Sequence, residues 1–214
     1  MKLLIVGATG GTGAALLGQA VSEGHDVTVI TRSPEKLPRV ERSSLTVVPG
    51  DVLRPGPWQE FASRNNTLLS CLGSTDRKQP TTVYSAGTLN ILSAMGTSPT
   101  RRIVCLSSAG LDIAPGTPFL QKTVTRLLIQ RLYRHGYADM RRMEAVLHAQ
   151  DVRWTIVRPP MLTDKPASGR YRTAINTHVP NPGSIARADL AHYMLTAVED
   201  PATWKSTVEI SAGP

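Results

Sequence analysis

The feature that most constrains this chain is a glycine-rich loop between an apolar run and a helical segment. Residues 3–6 read LLIV, residues 7–13 read GATGGTG, and residues 14–21 read AALLGQAV. Residues without a Cβ let a loop turn sharply and bring bare backbone amides to an anion, and a following helix adds free N–H groups. The order strand, glycine loop, helix predicts a dinucleotide-binding βα unit, although a merely tight βα turn would leave a similar pattern.

The rest of the chain alternates between strand-like and helix-like segments. The strand-like runs are residues 3–6, 27–30, 45–48, 67–72, 102–107 and 154–157. The helical candidates are residues 11–23, 34–37, 57–64, 81–95 and a pair within 118–149, with entries at Pro34 and Pro80 and exits at Gly96 and Gly136. The strand-like runs are almost continuously apolar, as expected for parallel strands buried on both faces. The pattern predicts an α/β fold with a doubly wound, mostly parallel sheet of the Rossmann type.

The last fifty residues differ in character from the rest. Residues 159–184 are rich in Pro, Gly, Asn and Thr, with one strand pattern at 171–176. A final helix with Asp189 as its N-cap and a closing strand TVEIS are expected after them. We therefore predict one domain over residues 1–214, in which 159–214 contributes a small substrate-side lobe.

Composition and charge exclude several classes of protein. Hydrophobic residues at 41% and charged residues at 19% favour an ordinary folded, soluble chain. The opening apolar run stops at Gly7, too early for a signal core or a membrane span, so a cytoplasmic protein with no membrane contact is expected. The net charge of +8 suits anionic ligands such as nucleotide phosphates. Nucleic acid is the least favoured partner, because the arginines are scattered and no recognised motif is present.

Cys71 and Cys105 lie in apolar runs and are expected to be buried thiols, with a disulfide as the alternative.

Arg32, at the end of the second predicted strand, indicates which dinucleotide is bound. An acid at this place would accept hydrogen bonds from the ribose hydroxyls of NAD, whereas a guanidinium fits a 2′-phosphate. Lys36, one helical turn further on, adds a second positive charge. An ordinary surface arginine is the alternative, but the pattern favours NADP(H) over NAD(H).

Two further strand ends should line the cofactor. Asp51 and Val52 close the third strand, where Asp51 could accept from the adenine amino group and Val52 could line the ring. Asp51 could equally be a turn residue. Leu72 and Gly73 follow the fourth strand and would let the cofactor pass close to the backbone at the carboxyl edge of the sheet.

The nicotinamide end carries a weaker chemical signal. A short-chain dehydrogenase pairs a serine with Tyr-x-x-x-Lys, in which the tyrosine donates a proton and the lysine lowers its pKa. Ser107 and Ser108 close the fifth strand in the right place for the serine. Tyr137 is followed four residues later by Arg141, not by lysine. Ser108 and Tyr137 are therefore the candidate catalytic residues, with a non-catalytic amphipathic helix as the alternative for Tyr137.

At this point the chain resembles a known family. GATGGTG, TRSPEKLP, GDVL, LLSCLGS, PTTVYSAGTLNILSAM, LSSAG, RPPM and IARADLAHYML are similar, in order, to the motifs of the biliverdin-IXβ reductases, also called NADPH flavin reductases. These are atypical short-chain dehydrogenases within the wider NmrA-like superfamily. The likeness runs from Met1 to about residue 210, and the run PTTV-x-S-x-G is more specific than the glycine loop.

The resemblance implies a monomeric, promiscuous reductase that passes hydride from NADPH to flavins or to tetrapyrroles such as biliverdin. It also implies that a missing Tyr-x-x-x-Lys is tolerable, because flavins delocalise the arriving charge and water can supply the proton. The cofactor-binding residues, from the resemblance and the reasoning above, are Gly7, Thr9, Gly10, Gly11, Thr12, Gly13, Arg32, Lys36, Asp51, Val52, Leu72, Gly73, Ser107, Pro159, Pro160 and Met161. Met161 stands where the family has a histidine, and ADMRRMEAVL lacks the family's other histidine, which bears on biliverdin more than on NADPH. No metal site is expected.

Two other classes of function compete with a reductase. A non-catalytic dinucleotide-sensing regulator of the NmrA type would keep the glycine loop and lack the catalytic tyrosine. An isomerase or reductase of small carbonyls or nucleotide sugars would need an intact tyrosine–lysine pair, which this sequence does not offer.

Overall fold

The fold is built on one central, twisted sheet. The computed structural model describes residues 1–40, 43–96, 101–113, 123, 127 and 129–213. Within these residues the strands form an eight-stranded sheet in the order β3-β2-β1-β4-β5-β6-β10-β8, and β7 pairs with β9 in a separate two-stranded sheet. The strands are β1 Lys2–Val6, β2 Asp26–Thr31, β3 Leu45–Pro49, β4 Thr67–Ser70, β5 Arg102–Leu106, β6 Arg153–Arg158, β7 Met161–Thr163, β8 Tyr171–Ile175, β9 Ser184–Ala186 and β10 Ser206–Ala212.

The main sheet is parallel except at one edge. Every pairing from β3 to β10 is parallel, and only β8 runs antiparallel, against β10. The order reverses between β1 and β4, so the crevice beyond their carboxyl ends is the place where such folds bind ligands. The predicted doubly wound, mostly parallel α/β sheet is confirmed.

Helices cover both faces of this sheet. The described helices are α1 Gly11–Ser22, α2 Trp58–Ser63, α3 Ser85–Met95, α4 Arg134–His148 and α5 Arg187–Glu199, with shorter helical turns at Pro34–Lys36, Ala109–Leu111, Gln130–Leu132 and Pro201–Thr203. Helices α1 and α5 pack on one face, and α2, α3 and α4 pack on the other.

Strand β1 explains why its sequence is apolar without interruption. Leu3 and Ile5 point into the core under α1 and α5, whereas Leu4 and Val6 point into the core under α2 and α3. All four side chains are fully buried. Because successive strand residues alternate in direction, a strand buried on both faces must be apolar at every position.

The C-terminal segment is built into the main sheet more closely than its sequence indicated. Strands β10 and β8 extend the sheet beyond β6, and the short pair β7–β9 was not predicted. The expected N-cap at Asp189 is wrong, because α5 begins two residues earlier and Ala186 is its N-cap. Asp189 is instead buried in the first turn of α5, where it accepts hydrogen bonds from the amides of Ser168 and Gly169. It therefore fixes the loop before β8.

Two predicted helix boundaries, the start of α3 and the exit at Gly136, are wrong, and a third, the exit at Gly96, is confirmed. Helix α3 starts at Ser85, not near residue 81, because the carboxylate of Asp139 in α4 accepts from the Ser85 hydroxyl and from the Tyr84 amide at 2.9 Å. Gly136 lies inside α4 and ends nothing, whereas Gly96 ends α3 with φ +72°. Of the helical pair expected within 118–149, most of the first member lies outside the described residues.

Other predictions concern disulfides and membranes. Cys71 and Cys105 are both free thiols, and burial raises the pKa of Cys105 to about 12. The expectation of free thiols is confirmed for both, whereas the expected burial is confirmed for Cys105 and Cys71 is only partly buried. Within the described ranges, no helix is both long enough and apolar enough to cross a membrane.

Candidate dinucleotide and substrate site

The glycine loop folds so tightly that two of its glycines are obligatory. Gly7 has φ +79°, and a Cβ there would lie 2.2 Å from the carbonyl oxygen of Cys71. A Cβ on Gly13 would lie 2.2 Å from the carbonyl oxygen of Gly7. The loop is closed by a hydrogen bond from the Gly10 amide to the Gly7 carbonyl at 3.1 Å. The backbone is thereby drawn against the end of β4.

The same loop delivers free donors to the crevice. The first hydrogen bond of α1 runs from the Ala14 amide to the Gly10 carbonyl at 2.7 Å, which leaves the preceding first-turn amides without an intrahelical partner. A helix N-terminus with such amides favours an anion through hydrogen bonds and through the helix dipole. The loop therefore fits the diphosphate of a dinucleotide, and Gly7, Thr9, Gly10, Gly11, Thr12 and Gly13 all lie in it.

Arg32 and Lys36, the predicted 2′-phosphate ligands, lie just beyond the carboxyl end of β2. Arg32 directly follows β2, and Lys36 closes the helical turn Pro34–Lys36 after it. Both side chains are exposed, and no acid among the described residues forms an ion pair with either. The two cations thus stand on one side of the crevice, beyond the carboxyl end of β2, where the adenosine half of a dinucleotide lies in this fold.

The predicted adenine-side residues form a small apolar wall. Val52 is buried, and both Val52 and Leu72 approach Gly87 of α3, where a Cβ would lie 3.1 and 3.0 Å from their methyl groups. Gly87 therefore lets α3 approach this wall. Asp51 accepts from the amide of Leu53 at 3.0 Å, which is the turn role that was the alternative for it. Its second carboxylate oxygen is left for other partners.

The nicotinamide-end candidates Ser108 and Tyr137 are brought together by the fold. Ser108 follows β5, and the Ser108 Oγ and Tyr137 hydroxyl are 3.4 Å apart. The Ser108 Oγ also accepts from the Gly110 amide at 3.2 Å. A Cβ on Gly110 would lie 2.3 Å from the Tyr137 hydroxyl, so Gly110 makes room for the phenol. The Ser108–Tyr137 pairing expected of a short-chain dehydrogenase site is therefore present as a contact, and its catalytic role stays a prediction.

The part of that site that would activate the tyrosine is missing. Burial raises the pKa of Tyr137, and the hydrogen bond with Ser108 offsets this only in part. Arg141, which stands at the lysine position, binds the Asp112 carboxylate at 3.1 Å and the Leu111 carbonyl. Tyr137 is therefore a neutral phenol at physiological pH.

Behind this pair lies a charged cluster that the sequence reasoning missed. Arg158, at the end of β6, binds Glu144 through two hydrogen bonds of 2.9 and 2.5 Å and binds Asp112 at 2.6 Å. The Ser107 hydroxyl donates to Glu144 at 2.7 Å. The Ser107 side chain thus faces α4 and a buried carboxylate. Its contact with the cofactor stays a prediction, and the Ser107 backbone would have to make that contact because the hydroxyl is already bound to Glu144.

Asp112 and Arg158 of this cluster hold their charges at neutral pH. Burial alone would raise the pKa of Asp112, but the nearby guanidinium of Arg158 and the hydrogen bonds from Arg141 and Arg158 bring it below its usual value. Burial would lower the pKa of Arg158, but Glu144 and Asp112 more than offset this. One signal for Glu144 was available, since it lies on the apolar stripe of α4 between Met140 and Leu147.

The predicted residues after β6 border the same region. Pro159 is buried, and its carbonyl accepts from the Ala109 amide at 3.0 Å, which ties this segment to the turn carrying Ser108. Met161 begins β7 with 69% of its surface exposed. Pro160 is half-buried between them. Proline rings fix the backbone here, so the segment is a rigid border.

An aromatic stack leads from Tyr137 towards solvent. The rings of Tyr133 and Tyr137 are stacked with centroids 5.7 Å apart, and the guanidinium of Arg77 lies 4.8 Å from the centre of the Tyr133 ring. Arg77 belongs to the exposed segment after β4. The mouth of the crevice thus combines flat rings with positive charge.

A glycine loop at the switch point of a doubly wound sheet, with a serine–tyrosine pair beyond β5, defines a nucleotide-binding protein of the Rossmann class. The model of the NAD(P)H-binding family matches residues 7–201. This chain belongs to that family.

Individual relatives are distant. The photosystem II assembly factor Ycf39 of Synechocystis sp. is 25% identical over 122 residues, which cover 56% of this chain and 37% of that protein. A provisionally named NADH-flavin reductase from Streptococcus pneumoniae is 20% identical, with a TM-score of 0.80 and 100% of both chains covered. A short-chain dehydrogenase/reductase from Veillonella parvula, solved in complex with NADP, is 17% identical, with a TM-score of 0.79 and 98% and 94% of the chains covered. At such identities the structures establish the fold alone.

Proposed function

We propose that the protein is an NADPH-dependent reductase that passes hydride to flavins or related planar conjugated acceptors. The observation that carries this proposal is the neutral Tyr137, which touches Ser108 and is followed four residues later by Arg141 instead of lysine. A small carbonyl acceptor needs a proton donor as its oxygen gains charge. A conjugated acceptor spreads the arriving charge over its ring system, so water can supply the proton.

The chain's own residues would bind and orient the reactants. NADPH, when bound, supplies the hydride. The loop amides would hold its diphosphate, and Arg32 with Lys36 would hold its 2′-phosphate. Ser108 would orient the nicotinamide or hydrogen-bond the acceptor at the carboxyl end of β5. The rigid segment at Pro159 and Pro160 would border the nicotinamide.

Several observations support an open, flat acceptor site. The stacked rings of Tyr133 and Tyr137 offer an aromatic face, and Met161 is exposed beside the crevice. The Streptococcus pneumoniae neighbour bears a flavin reductase name, and the Veillonella parvula neighbour was solved with NADP. Biliverdin remains a candidate acceptor within the same chemistry. We further propose that the protein acts as a monomer in the cytoplasm, with no macromolecular partner required for the reaction.

The decisive experiment is a turnover assay. Purified protein is mixed with NADPH and excess FMN or riboflavin, and oxidation of NADPH is followed at its absorbance maximum under anaerobic conditions. Catalytic turnover with flavin, and little with small aldehydes or ketones, is the expected result. Binding of NADPH without turnover of any planar acceptor would contradict the proposal.

The second candidate is a dinucleotide-sensing regulator without catalysis. It is favoured by one observation. The charged side chains beside the nicotinamide end bind one another, as in a network that only supports the structure; they are Glu144, Arg158, Asp112 and Arg141. The same assay separates the two, since a sensor binds NADPH and turns nothing over.

A further inference from the structure

Arg187, the first residue of α5, lies on the glycine loop rather than on its own helix. A Cβ built on Gly11 would lie 2.7 Å from the Cδ of Arg187 and 2.9 Å from its Nε. The arginine side chain therefore occupies the space that a side chain at position 11 would fill. Gly11 is the first residue of α1, so this space adjoins the free amides of the loop.

This contact explains a glycine that the loop itself does not require. Gly7 and Gly13 are needed because a Cβ on either would strike backbone atoms, and Gly10 has only one neighbour, at 3.5 Å. At Gly11 the close neighbours of a Cβ are all atoms of one side chain, that of Arg187. Gly11 of GATGGTG thus leaves space for the Arg187 side chain.

Among the residues that the structure describes, the guanidinium of Arg187 has one ion-pair partner, Asp164. Its Nη1 lies 2.6 Å from the Oδ1 of Asp164, whose side chain is 88% exposed, while the Arg187 side chain is only 29% exposed. Ion pairs with so exposed a partner contribute little to stability. A diphosphate at the neighbouring loop carries more charge and offers oxygens to which a guanidinium can donate twice. The arginine can therefore exchange one partner for the other by a small side-chain movement.

We propose that Arg187 is a further diphosphate-binding residue, supplied by the C-terminal segment, and that Asp164 is its resting partner. The inference rests on the proposed dinucleotide ligand but not on the proposed reductase activity. Asp164 follows β7 and Arg187 follows β9, and these two strands pair with each other. Arg187 therefore links the substrate-side segment to the phosphate loop.

The test measures binding to the ligand-free protein, with no turnover involved. Dissociation constants are determined by isothermal titration for NADPH, NADH and adenosine 2′-monophosphate, which lacks a diphosphate. Arg187→Ala should weaken NADPH and NADH by a similar factor, about fivefold or more, and leave adenosine 2′-monophosphate within about twofold. The slope of NADPH affinity against salt should also decrease. Arg170→Ala, an exposed arginine of the same segment, is the matched control and should change nothing.

Two further variants keep the test sharp. Gly11→Ala should displace the Arg187 side chain and produce a similar loss, even if Arg187→Ala folds poorly. Asp164→Asn should leave NADPH affinity unchanged or tighten it about twofold, because a competing carboxylate is removed.

Several results would overturn the inference. These are an unchanged NADPH affinity in folded Arg187→Ala, a loss for NADPH alone, an equal loss for adenosine 2′-monophosphate, or a loss in Asp164→Asn as large as that in Arg187→Ala. If the wild type binds neither dinucleotide, the proposed function fails as well, which is a different outcome from a silent Arg187→Ala.

Discussion

The two ends of the candidate site are constructed in opposite ways. At the phosphate end the backbone makes the site: Gly7 and Gly13 close the loop, and the cations of Arg32 and Lys36 stand exposed beside it. At the nicotinamide end side chains make the site, and most of them already bind one another, as Glu144 binds Arg158 and Ser107. The phosphate end therefore has unpaired positive charge, among the described residues, for an anionic ligand. The charged side chains of the nicotinamide end are already bound to one another and hold it rigid.

This difference predicts which substitutions should change ligand binding or catalysis and which should change stability. A phosphate end built from backbone tolerates no added atoms, but its cations can be replaced without disturbing the fold. A nicotinamide end built from a charged cluster loses stability when one member is removed, whereas the two hydroxyls in front of the cluster can be removed at little structural cost. Five substitutions test this contrast.

The first substitution adds one methyl group to the loop. Gly7→Ala would place a Cβ 2.2 Å from the Cys71 carbonyl oxygen at a residue with φ +79°. We expect a loss of about 3 kcal/mol or more in the free energy of unfolding, and loss of NADPH binding. Urea denaturation measures the first and calorimetry the second. Gly18→Ala in α1 is the control, since a Cβ there meets no described atom within 4 Å beyond its own stretch of helix, and it should stabilise the protein by about 0.5–1 kcal/mol. A Gly7→Ala protein as stable as the wild type would refute the loop geometry.

The second substitution removes one member of the charged cluster. Glu144→Ala leaves the guanidinium of Arg158, only 14% exposed, without its two-point partner. Breaking a buried pair costs about 3–5 kcal/mol, and partial exposure should bring the loss here to about 2–4 kcal/mol in a denaturant titration. Glu60→Ala, which breaks the exposed pair with Arg64, is the control and should cost less than about 0.5 kcal/mol. Equal losses in the two variants would show that the cluster carries no structural weight.

The contrast also marks how much could be predicted from the sequence. The succession of strands and helices along the chain and the glycine loop were predictable because both depend on local patterns: apolar runs, spaced glycines and a helix that follows. Arg32 was predictable because its place at the end of β2 follows from the same alternation. The residues of the phosphate end can therefore be recognised from short, continuous stretches of sequence.

The nicotinamide end and the C-terminal segment were not predictable in the same way. Glu144, Arg158 and Asp112 come from separate elements, and only the fold brings them together. Asp189 fits the preference of an N-cap, but tertiary contacts with Ser168 and Gly169 use its carboxylate instead. Strands β7 and β9 have three residues each, too few for a pattern to show.

The third substitution tests the exposed cations at the phosphate end. If Arg32 holds a 2′-phosphate as proposed, wild-type protein should bind NADPH at least about tenfold more tightly than NADH, a difference of about 1.4 kcal/mol. Arg32→Ala should remove most of that difference and leave stability unchanged, since the side chain is exposed. Fluorescence titration with both cofactors measures it, and Arg39→Ala, another exposed arginine, is the control. Equal affinities in the wild type would remove the assignment of NADP(H).

The fourth substitution removes the hydroxyl nearest the proposed acceptor. Ser108→Ala should slow hydride transfer to FMN by about three- to tenfold, because one hydrogen bond that orients a reactant is lost. NADPH affinity should stay nearly the same, since the phosphate contacts lie elsewhere. Stopped-flow measurement of a single turnover separates the two effects. An unchanged single-turnover rate would leave Ser108 with a structural role only, through its hydrogen bonds with the Gly110 amide and the Tyr137 hydroxyl.

The last substitution should have the smallest effect, and its smallness is what distinguishes the proposed chemistry. If water supplies the proton, Tyr137→Phe should keep flavin reduction within about threefold of the wild type, whereas loss of a general acid would cost about a hundredfold or more. Burial raises the pKa of Tyr137, so the phenol stays protonated and its deprotonation should produce no inflection in the rate between about pH 6 and pH 9. The phenyl ring keeps the stack on Tyr133, so stability should hardly change. A hundredfold loss together with an inflection in that range would instead assign Tyr137 the proton, and would make the nicotinamide end a catalytic site in the manner of the short-chain dehydrogenases.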